Sequence, residues 1–261
     1  MYNVVTLLYD FAKYNRRRIG AGLEKIAISP DQMSTLTDVL SRSKRPPKPV
    51  DIGMSIYGLQ IFDEDDDLEL KKEVLRFVST VTLMIPRCRE SFSAKEIGMA
   101  MYGLKGLSSK SPEIGQLLVE LTRALADVNL RLDAQAIGNC LYGLQSMHDS
   151  LEVNTFLNVL QRKISECDCH LSAQHIGNAL YGLQNQYNIS AVLNSLGPFV
   201  EKCNAKFSAQ EISNALYGLK SVSSSESAVQ TILRALAVKL EHCDDTFKSQ
   251  ETVMHSSAYR R

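Results

Sequence analysis

Tyrosine and amide side chains recur along this sequence at a regular spacing. A Tyr-Gly-Leu motif occurs five times, and its tyrosines are 45, 40, 39 and 36 residues apart, at Tyr57, Tyr102, Tyr142, Tyr181 and Tyr217. In the last three copies an asparagine precedes the tyrosine by three residues and a glutamine precedes it by seven. Amides can hydrogen-bond the edges of bases, and tyrosine rings can stack on their faces. The candidate ligand-binding residues are Lys95, Tyr102, Gln135, Asn139, Tyr142, Gln174, Asn178, Tyr181, Asn185, Gln210, Asn214 and Tyr217.

A structural role explains the same pattern. Asparagine and tyrosine side chains that recur in register can hydrogen-bond the adjacent repeat and hold a stack of repeats in alignment, as buried amides often do. The sequence leaves both interpretations open. If the residues bind a ligand with specificity, we expect that specificity where the copies differ. The third helical position is one such place, and its candidates are Glu96, His175 and Glu211.

The motif lies in a segment that carries helix start signals. Ser93, Asp133, Ser172 and Ser208 are favoured N-cap residues, because their side-chain oxygens can accept from backbone N–H groups of the first turn. An apolar residue before each cap and an isoleucine after it have the spacing of a hydrophobic staple. This segment is predicted to be a helix, here called helix A. A second stretch with helical spacing of apolar residues, helix B, follows at about 67–85, 112–128, 151–167, 190–203 and 225–243.

The helical period assigns a role to each face of helix A. Ile176, Leu180 and Leu183 fall within one arc and are predicted to form the core against helix B. Gly177 and Gly182 lie on the two flanks, where small residues allow neighbouring helices to approach closely. The candidate residues fall on the remaining face, which we call the helix A front.

Repeated helical hairpins predict an all-α fold, an α-solenoid in which stacked hairpin repeats form a right-handed superhelix. The predicted organisation has three parts. Residues 1–48 form a helical segment with a basic linker, residues 49–247 form an array of five repeats, and residues 248–261 form a decayed repeat or cap. Pro198 is expected to kink or shorten the fourth helix B.

The charge balance gives no global indication of a partner, because 29 basic residues face 29 acidic ones. Residues 1–50 nevertheless carry nine lysines and arginines against four acids. No apolar run approaches the roughly 20 residues that a membrane span needs, so no membrane partner is expected. The first 20 residues have their apolar residues before their arginines, the reverse of a secretory signal, and are predicted to be a plain helix.

The segment Cys167–His170, with sequence Cys-Asp-Cys-His, has residue types that bind zinc. Cys88, Cys167, Cys203 and Cys243 each precede a staple residue by four, however, and Val128 takes that place in another copy. A site that accepts valine is predicted to be a packing site. We therefore expect no metal and no cofactor. Disulfides between equivalent cysteines are not expected, and a reducing compartment suits the chain. No nucleophile elbow, phosphate loop or HExxH motif occurs, so no catalytic residue is predicted.

Helix A resembles that of the octotricopeptide repeats of algal organelles. Gln174, Ile176, Asn178, Leu180, Tyr181 and Leu183 match that family's Gln-x-Ile-x-Asn-x-Leu-Trp-x-Leu positions, with tyrosine in place of tryptophan. The resemblance covers about residues 50–247. Similar repeats occur in RAP-domain and FAST-kinase-like mitochondrial proteins and in helical proteins of the kinetoplastid RNA-editing substrate-binding complex. This chain shows no C-terminal RAP domain.

The resemblance implies a protein that binds single-stranded RNA and acts in RNA processing or stability in a mitochondrion or plastid. Together with the missing catalytic motifs, it predicts a non-catalytic RNA-binding protein, and the cytoplasm is the expected location if the chain does not act in an organelle. The neutral charge differs from that of most RNA-binding solenoids. It favours the alternative function, a protein–protein interaction scaffold of stacked helical repeats.

Overall fold

The computed structural model describes residues 2–63 and 65–247, with only the backbone described for residues 2 and 3. Across these residues the regular structure is helical and includes no strand, which confirms the all-α prediction. The chain divides into two compact units, Met1–Leu130 and Arg131–Arg261. The cap predicted for residues 248–261 lies outside the described residues.

The first unit consists of three helical hairpins. Its helices are α1 (Tyr2–Gly20), α2 (Pro30–Ser41), α3 (Pro49–Tyr57), α4 (Leu68–Thr82), α5 (Ala94–Gly103) and α6 (Pro112–Leu125), and 3-10 turns follow at Gly58–Ile61 and Ile85–Arg87. Helix α3 packs between α1 and α5, and α4 packs between α2 and α6. The N-terminal segment therefore forms a hairpin of the same design, with α1 in the helix A layer and α2 in the helix B layer.

The second unit also consists of three hairpins. Its helices are α7 (Ala134–Tyr142), α8 (Leu151–Ser165), α9 (Ala173–Gly182), α10 (Ser190–Lys202), α11 (Ala209–Gly218) and α12 (Ser227–Glu241). Helix α9 packs between α7 and α11, and α10 packs between α8 and α12. Each unit thus stacks helix A on helix A and helix B on helix B, as a solenoid does. Pro198 lies within α10, which still continues to Lys202.

The helices begin at the predicted caps. Asp133 accepts a hydrogen bond from the Ala136 N–H at 2.7 Å, and Ser172 Oγ accepts from the His175 N–H at 3.2 Å. At Ser208 the capping is reciprocal: Ser208 Oγ accepts from the Glu211 N–H, and the Glu211 carboxylate accepts from the Ser208 N–H at 2.8 Å. These bonds satisfy backbone donors that the first turn leaves without a partner. The starts of α7, α9 and α11 are therefore determined locally by the sequence.

The predicted core and flanks of helix A are confirmed. Ile176, Leu180 and Leu183 are at most 1% exposed. A Cβ added to Gly182 would overlap the Leu141 carbonyl of the preceding helix A, whereas one added to Gly177 would lie 3.0 Å from the Glu211 oxygen of the following one. The two glycines therefore face opposite neighbours. Their backbones approach so closely because neither position carries a side chain.

Candidate functional site

The tyrosines of each unit pack against one another in a row. In the first unit the ring centroids of Tyr9 and Tyr57 are 5.1 Å apart and those of Tyr57 and Tyr102 are 5.7 Å apart. In the second unit, Tyr142 and Tyr181 are separated by 6.0 Å and Tyr181 and Tyr217 by 5.8 Å. These distances lie within the range of favourable aromatic pairs. We call each set a tyrosine row.

The packing within a row limits how a ligand can contact it. A base placed between two rings would separate them by twice the stacking distance of 3.4 Å, or about 7 Å. The observed separations of 5.7 to 6.0 Å leave no space for a base between neighbouring rings of the motif. The rings are half-buried, so part of each ring remains accessible. A base therefore cannot be inserted between two rings of the motif, and stacking of bases on the accessible part of each tyrosine stays a prediction.

Three asparagines lie beside the tyrosine row of the second unit. Asn139, Asn178 and Asn214 each precede a row tyrosine by three residues, which places the two side chains on the same helical face. All three are half-buried. Within residues 2–63 and 65–247 their side chains make no hydrogen bond. We call them the asparagine row. Gln135, Gln174 and Gln210, one turn earlier, are exposed, as is Lys95 in the first unit.

Other amides hold the repeats of the second unit together. Asn185 Nδ2 donates to the Gln145 carbonyl at 2.8 Å, and Gln186 Nε2 donates to the Met147 carbonyl at 2.8 Å. Gln184 Nε2 also donates to the Gln145 carbonyl, at 3.4 Å. These bonds join the loop after one helix A to the loop after the preceding one. Asn185 therefore hydrogen-bonds the preceding repeat and helps to keep the two repeats aligned. The sequence had left this structural role open for all the candidate asparagines.

The three specificity candidates act as capping residues. Glu96 and Glu211 each accept a hydrogen bond at 2.8 Å from the backbone N–H of the N-cap serine. His175 Nδ1 accepts from the Ser172 N–H at 3.3 Å. Burial lowers the pKa of His175, and Asp133 partly opposes this effect. The lowered pKa favours the neutral ring, whose unprotonated nitrogen can accept the bond. Any role of these residues in specificity stays a prediction.

Positive side chains flank both tyrosine rows. Arg16 and Lys105 lie 5.7 and 4.8 Å from the ring centroid of Tyr102, and both line a cavity of about 230 Å³. In the second unit, Lys220 Nζ lies 3.9 Å from the Tyr217 ring. Cations over aromatic faces are attracted by the ring quadrupole. The rows therefore present cations that can meet an anionic ligand.

Two features of this site were missed in the sequence. Lys105 and Lys220 follow their tyrosines by three residues, where the other copies have glutamine, so the motif itself carried the signal. Tyr9 extends the first row, although it is followed by Asp10 and Phe11 rather than Gly-Leu. The preceding Leu8 is buried, as are the apolar residues before the other tyrosines, which are leucines in the second unit. A search for Leu-Tyr with an apolar residue two positions later would have found it.

Comparison with known protein families and with curated proteins gave no match. In the described ranges no group of three histidine, cysteine or acidic side chains is placed to hold a metal ion. No helix of those ranges is long and apolar enough to cross a membrane. The asparagine row and the flanking cations are polar groups that can contact a polar ligand.

Proposed function

We propose that this chain is a non-catalytic protein that binds single-stranded RNA through the helix A front and acts in RNA processing or stability. One observation carries the proposal: the side chains of Asn139, Asn178 and Asn214 recur in register without a hydrogen-bond partner in the described part of the chain. A mitochondrial or plastid location belongs to the proposal through the resemblance to octotricopeptide repeats alone.

The asparagine row contributes little to the stability of the fold. Asparagine is less favourable than alanine inside a helix, and these three side chains stabilise no neighbouring repeat through a hydrogen bond. Residues that oppose the local helix propensity without stabilising the fold are typical of functional sites. A repeated amide that offers both a donor and an acceptor to solvent is suited to the edge of a base.

The geometry of the row favours an unstacked single strand. Neighbouring tyrosines of the second unit are 5.8 and 6.0 Å apart, well above the 3.4 Å between stacked bases. A strand that places one base at each repeat therefore has its bases separated. Sequence-specific RNA-binding proteins usually contact unstacked bases of this kind, because the hydrogen-bonding edges are then accessible.

The flanking cations supply contacts for phosphates, but they are few. If Arg16, Lys105 and Lys220 each neutralise one phosphate, the logarithm of the association constant should fall with the logarithm of salt concentration with a slope of about −2. This weak dependence is consistent with a chain of zero formal net charge. Most of the affinity must then come from contacts with bases and sugars.

The proposal predicts that replacing the asparagine row by alanine reduces RNA affinity without reducing stability. We expect the triple variant N139A/N178A/N214A to bind RNA at least about tenfold more weakly, because each lost hydrogen bond is worth about 1 kcal/mol. The temperature of unfolding should not fall, because no intramolecular hydrogen bond is removed. Fluorescence anisotropy with a mixed pool of single-stranded RNA, across a salt series, measures the first quantity.

The matched control is N158A/N194A/Q230A, which removes three exposed amides from α8, α10 and α12 in the helix B layer. It should bind RNA like the unaltered chain. Equal losses for both triple variants would place binding elsewhere. Absence of salt-sensitive binding by the unaltered chain below about 10 μM, a value in the middle of the range for non-specific binding, would reject the RNA proposal. The protein-scaffold alternative would then gain support from the apolar residues Val50, Met54 and Met99 on the front of the first unit.

A further inference from the structure

Two cysteines lie side by side in the segment that links α8 to α9. Cys167 Sγ and Cys169 Sγ are 2.6 Å apart. This is well inside the 3.5–4.0 Å at which unbonded carbon atoms pack, and it approaches the sulfur–sulfur distance of about 2.05 Å in a disulfide. Both residues are half-buried, and both are free thiols. The backbone of this segment therefore brings two thiols within bonding reach.

The repeat pattern explains one of these thiols and leaves the other unexplained. Cys167 occupies the packing position that Cys88, Cys203 and Cys243 hold in other repeats, four residues before the staple. Two residues after those cysteines the chain has Glu90, Ala205 and Asp245. Cys169 therefore has no counterpart in the other repeats. Packing of the repeat does not account for a second cysteine here.

A small reagent can reach the pair. Cys167 and Cys169 line a cavity of about 990 Å³ between their segment and helices α8 and α10, together with Ser195 and Lys202. This volume is at the upper end of the range for pockets that accept small molecules. A tripeptide thiol is within the size that such a cavity admits.

We propose that Cys167 and Cys169 form a reversible intramolecular disulfide by exchange with a small-molecule disulfide of the glutathione type. The thiolate of Cys167 attacks one sulfur of the reagent, which breaks the reagent's S–S bond and releases one small thiolate. Cys169 then attacks the mixed disulfide at Cys167, forms the Sγ–Sγ bond and releases the second small thiolate. Two electrons pass to the reagent, and the two cysteine protons end on the released thiols.

The order of these steps follows from the environment of Cys169. Burial, together with the neighbouring Cys167, raises the pKa of the Cys169 thiol to about 12. A thiol reacts as its thiolate, so Cys169 is a poor group for the first attack and is assigned the intramolecular second step. Cys167 Sγ also donates to the Leu132 carbonyl at 3.1 Å. Oxidation removes that donor. The new Sγ–Sγ bond also closes a covalent ring within the segment that links α8 to α9.

The test is equilibration of the full chain with defined ratios of reduced to oxidised glutathione, in the presence of a metal chelator. Free thiols are trapped with an alkylating reagent, and the peptides are identified by mass spectrometry. We expect the internal disulfide to form in the native chain at a proportion of oxidised glutathione at least about tenfold lower than in the chain denatured in urea. Cys88 and Cys243 are half-buried control thiols without a neighbouring cysteine, and they should give only mixed disulfides.

The variant Cys169→Ser separates the two steps. It should accumulate a mixed disulfide at Cys167 that does not resolve, whereas the unaltered chain should not. Formation of the internal disulfide at the same glutathione ratio in the native and denatured chains would overturn the proposal. Pairing of Cys167 with Cys203 would overturn it as well. Oxidation that occurs with chelator and is blocked without it would show that the two thiols hold a metal instead.

Discussion

The variant Gly182→Ala should destabilise the second unit by about 3 kcal/mol. A Cβ at this position would overlap the Leu141 carbonyl and stand 2.8 Å from the Cα of Tyr142. Both atoms belong to the backbone of α7, so no side-chain rotation relieves the contact. The two helices must separate, and overpacking of this kind typically costs 1–3 kcal/mol and occasionally more. Such a loss lowers the temperature of unfolding by about 6–12 °C in a protein of this size.

The control for this prediction is Gly197→Ala in α10. There a Cβ would have ordinary contact, with its nearest neighbour, Thr231 Cγ2, at 3.6 Å. Alanine is favoured over glycine inside a helix by up to about 1 kcal/mol, so this variant should be as stable as the unaltered chain or more so. Thermal unfolding followed by circular dichroism compares the two. Equal unfolding temperatures for both variants would contradict the close approach of α7 and α9.

The same close contact occurs at other copies of the motif. A Cβ on Gly103 would stand 2.8 Å from the Cα of Tyr57, and one on Gly218 would stand 2.7 Å from the backbone nitrogen of Tyr181. Gly103, Gly182 and Gly218 are therefore the points where α5, α9 and α11 contact the preceding helix A of their own unit. Because the preceding tyrosine is part of that contact, the glycine also determines how far apart neighbouring tyrosines lie.

This coupling explains which parts of the fold could be predicted from sequence. Caps such as Ser172 and core positions such as Ile176 follow from local spacing, and the structure confirms them. The flanking glycines could be predicted from the helical period as well. The packing of Tyr142 on Tyr181 could not, because it depends on the distance between two helices. A helical period describes one helix and contains no such distance.

Asn178 and Asn185 show the same limit for the site. Both were placed on the helix A front by counting 100° per residue. Helix α9 ends at Gly182, so the count no longer applies to Asn185, which instead donates to the Gln145 carbonyl. Asn178 lies within the helix, and its side chain has no hydrogen bond to residues 2–63 or 65–247. The local sequence alone does not distinguish the two roles.

The variants of Tyr181 separate the structural role of the tyrosine row from its role in ligand binding. Tyr181 packs between Tyr142 and Tyr217. Tyr181→Ala removes two aromatic pairs, each worth about 0.5–1.5 kcal/mol beyond the burial of the ring. We expect it to destabilise the second unit by about 3 kcal/mol. Tyr181→Phe keeps the ring and should unfold at the same temperature as the unaltered chain. Tyr187→Ala, at a tyrosine that is 59% exposed and outside the row, is the control for the loss of a ring.

RNA affinity then indicates which part of Tyr181 a ligand contacts. Because no base fits between Tyr181 and either neighbouring ring, we expect a contact with RNA to involve the hydroxyl group or the ring edge. We expect Tyr181→Phe to weaken RNA binding about fivefold, the value of one hydrogen bond of about 1 kcal/mol, with no change in stability. Unchanged affinity in Tyr181→Phe, together with a loss in Tyr181→Ala that parallels its loss of stability, would assign the row to packing alone. Asparagine and tyrosine would then differ in role although they lie one turn apart on the same helical face.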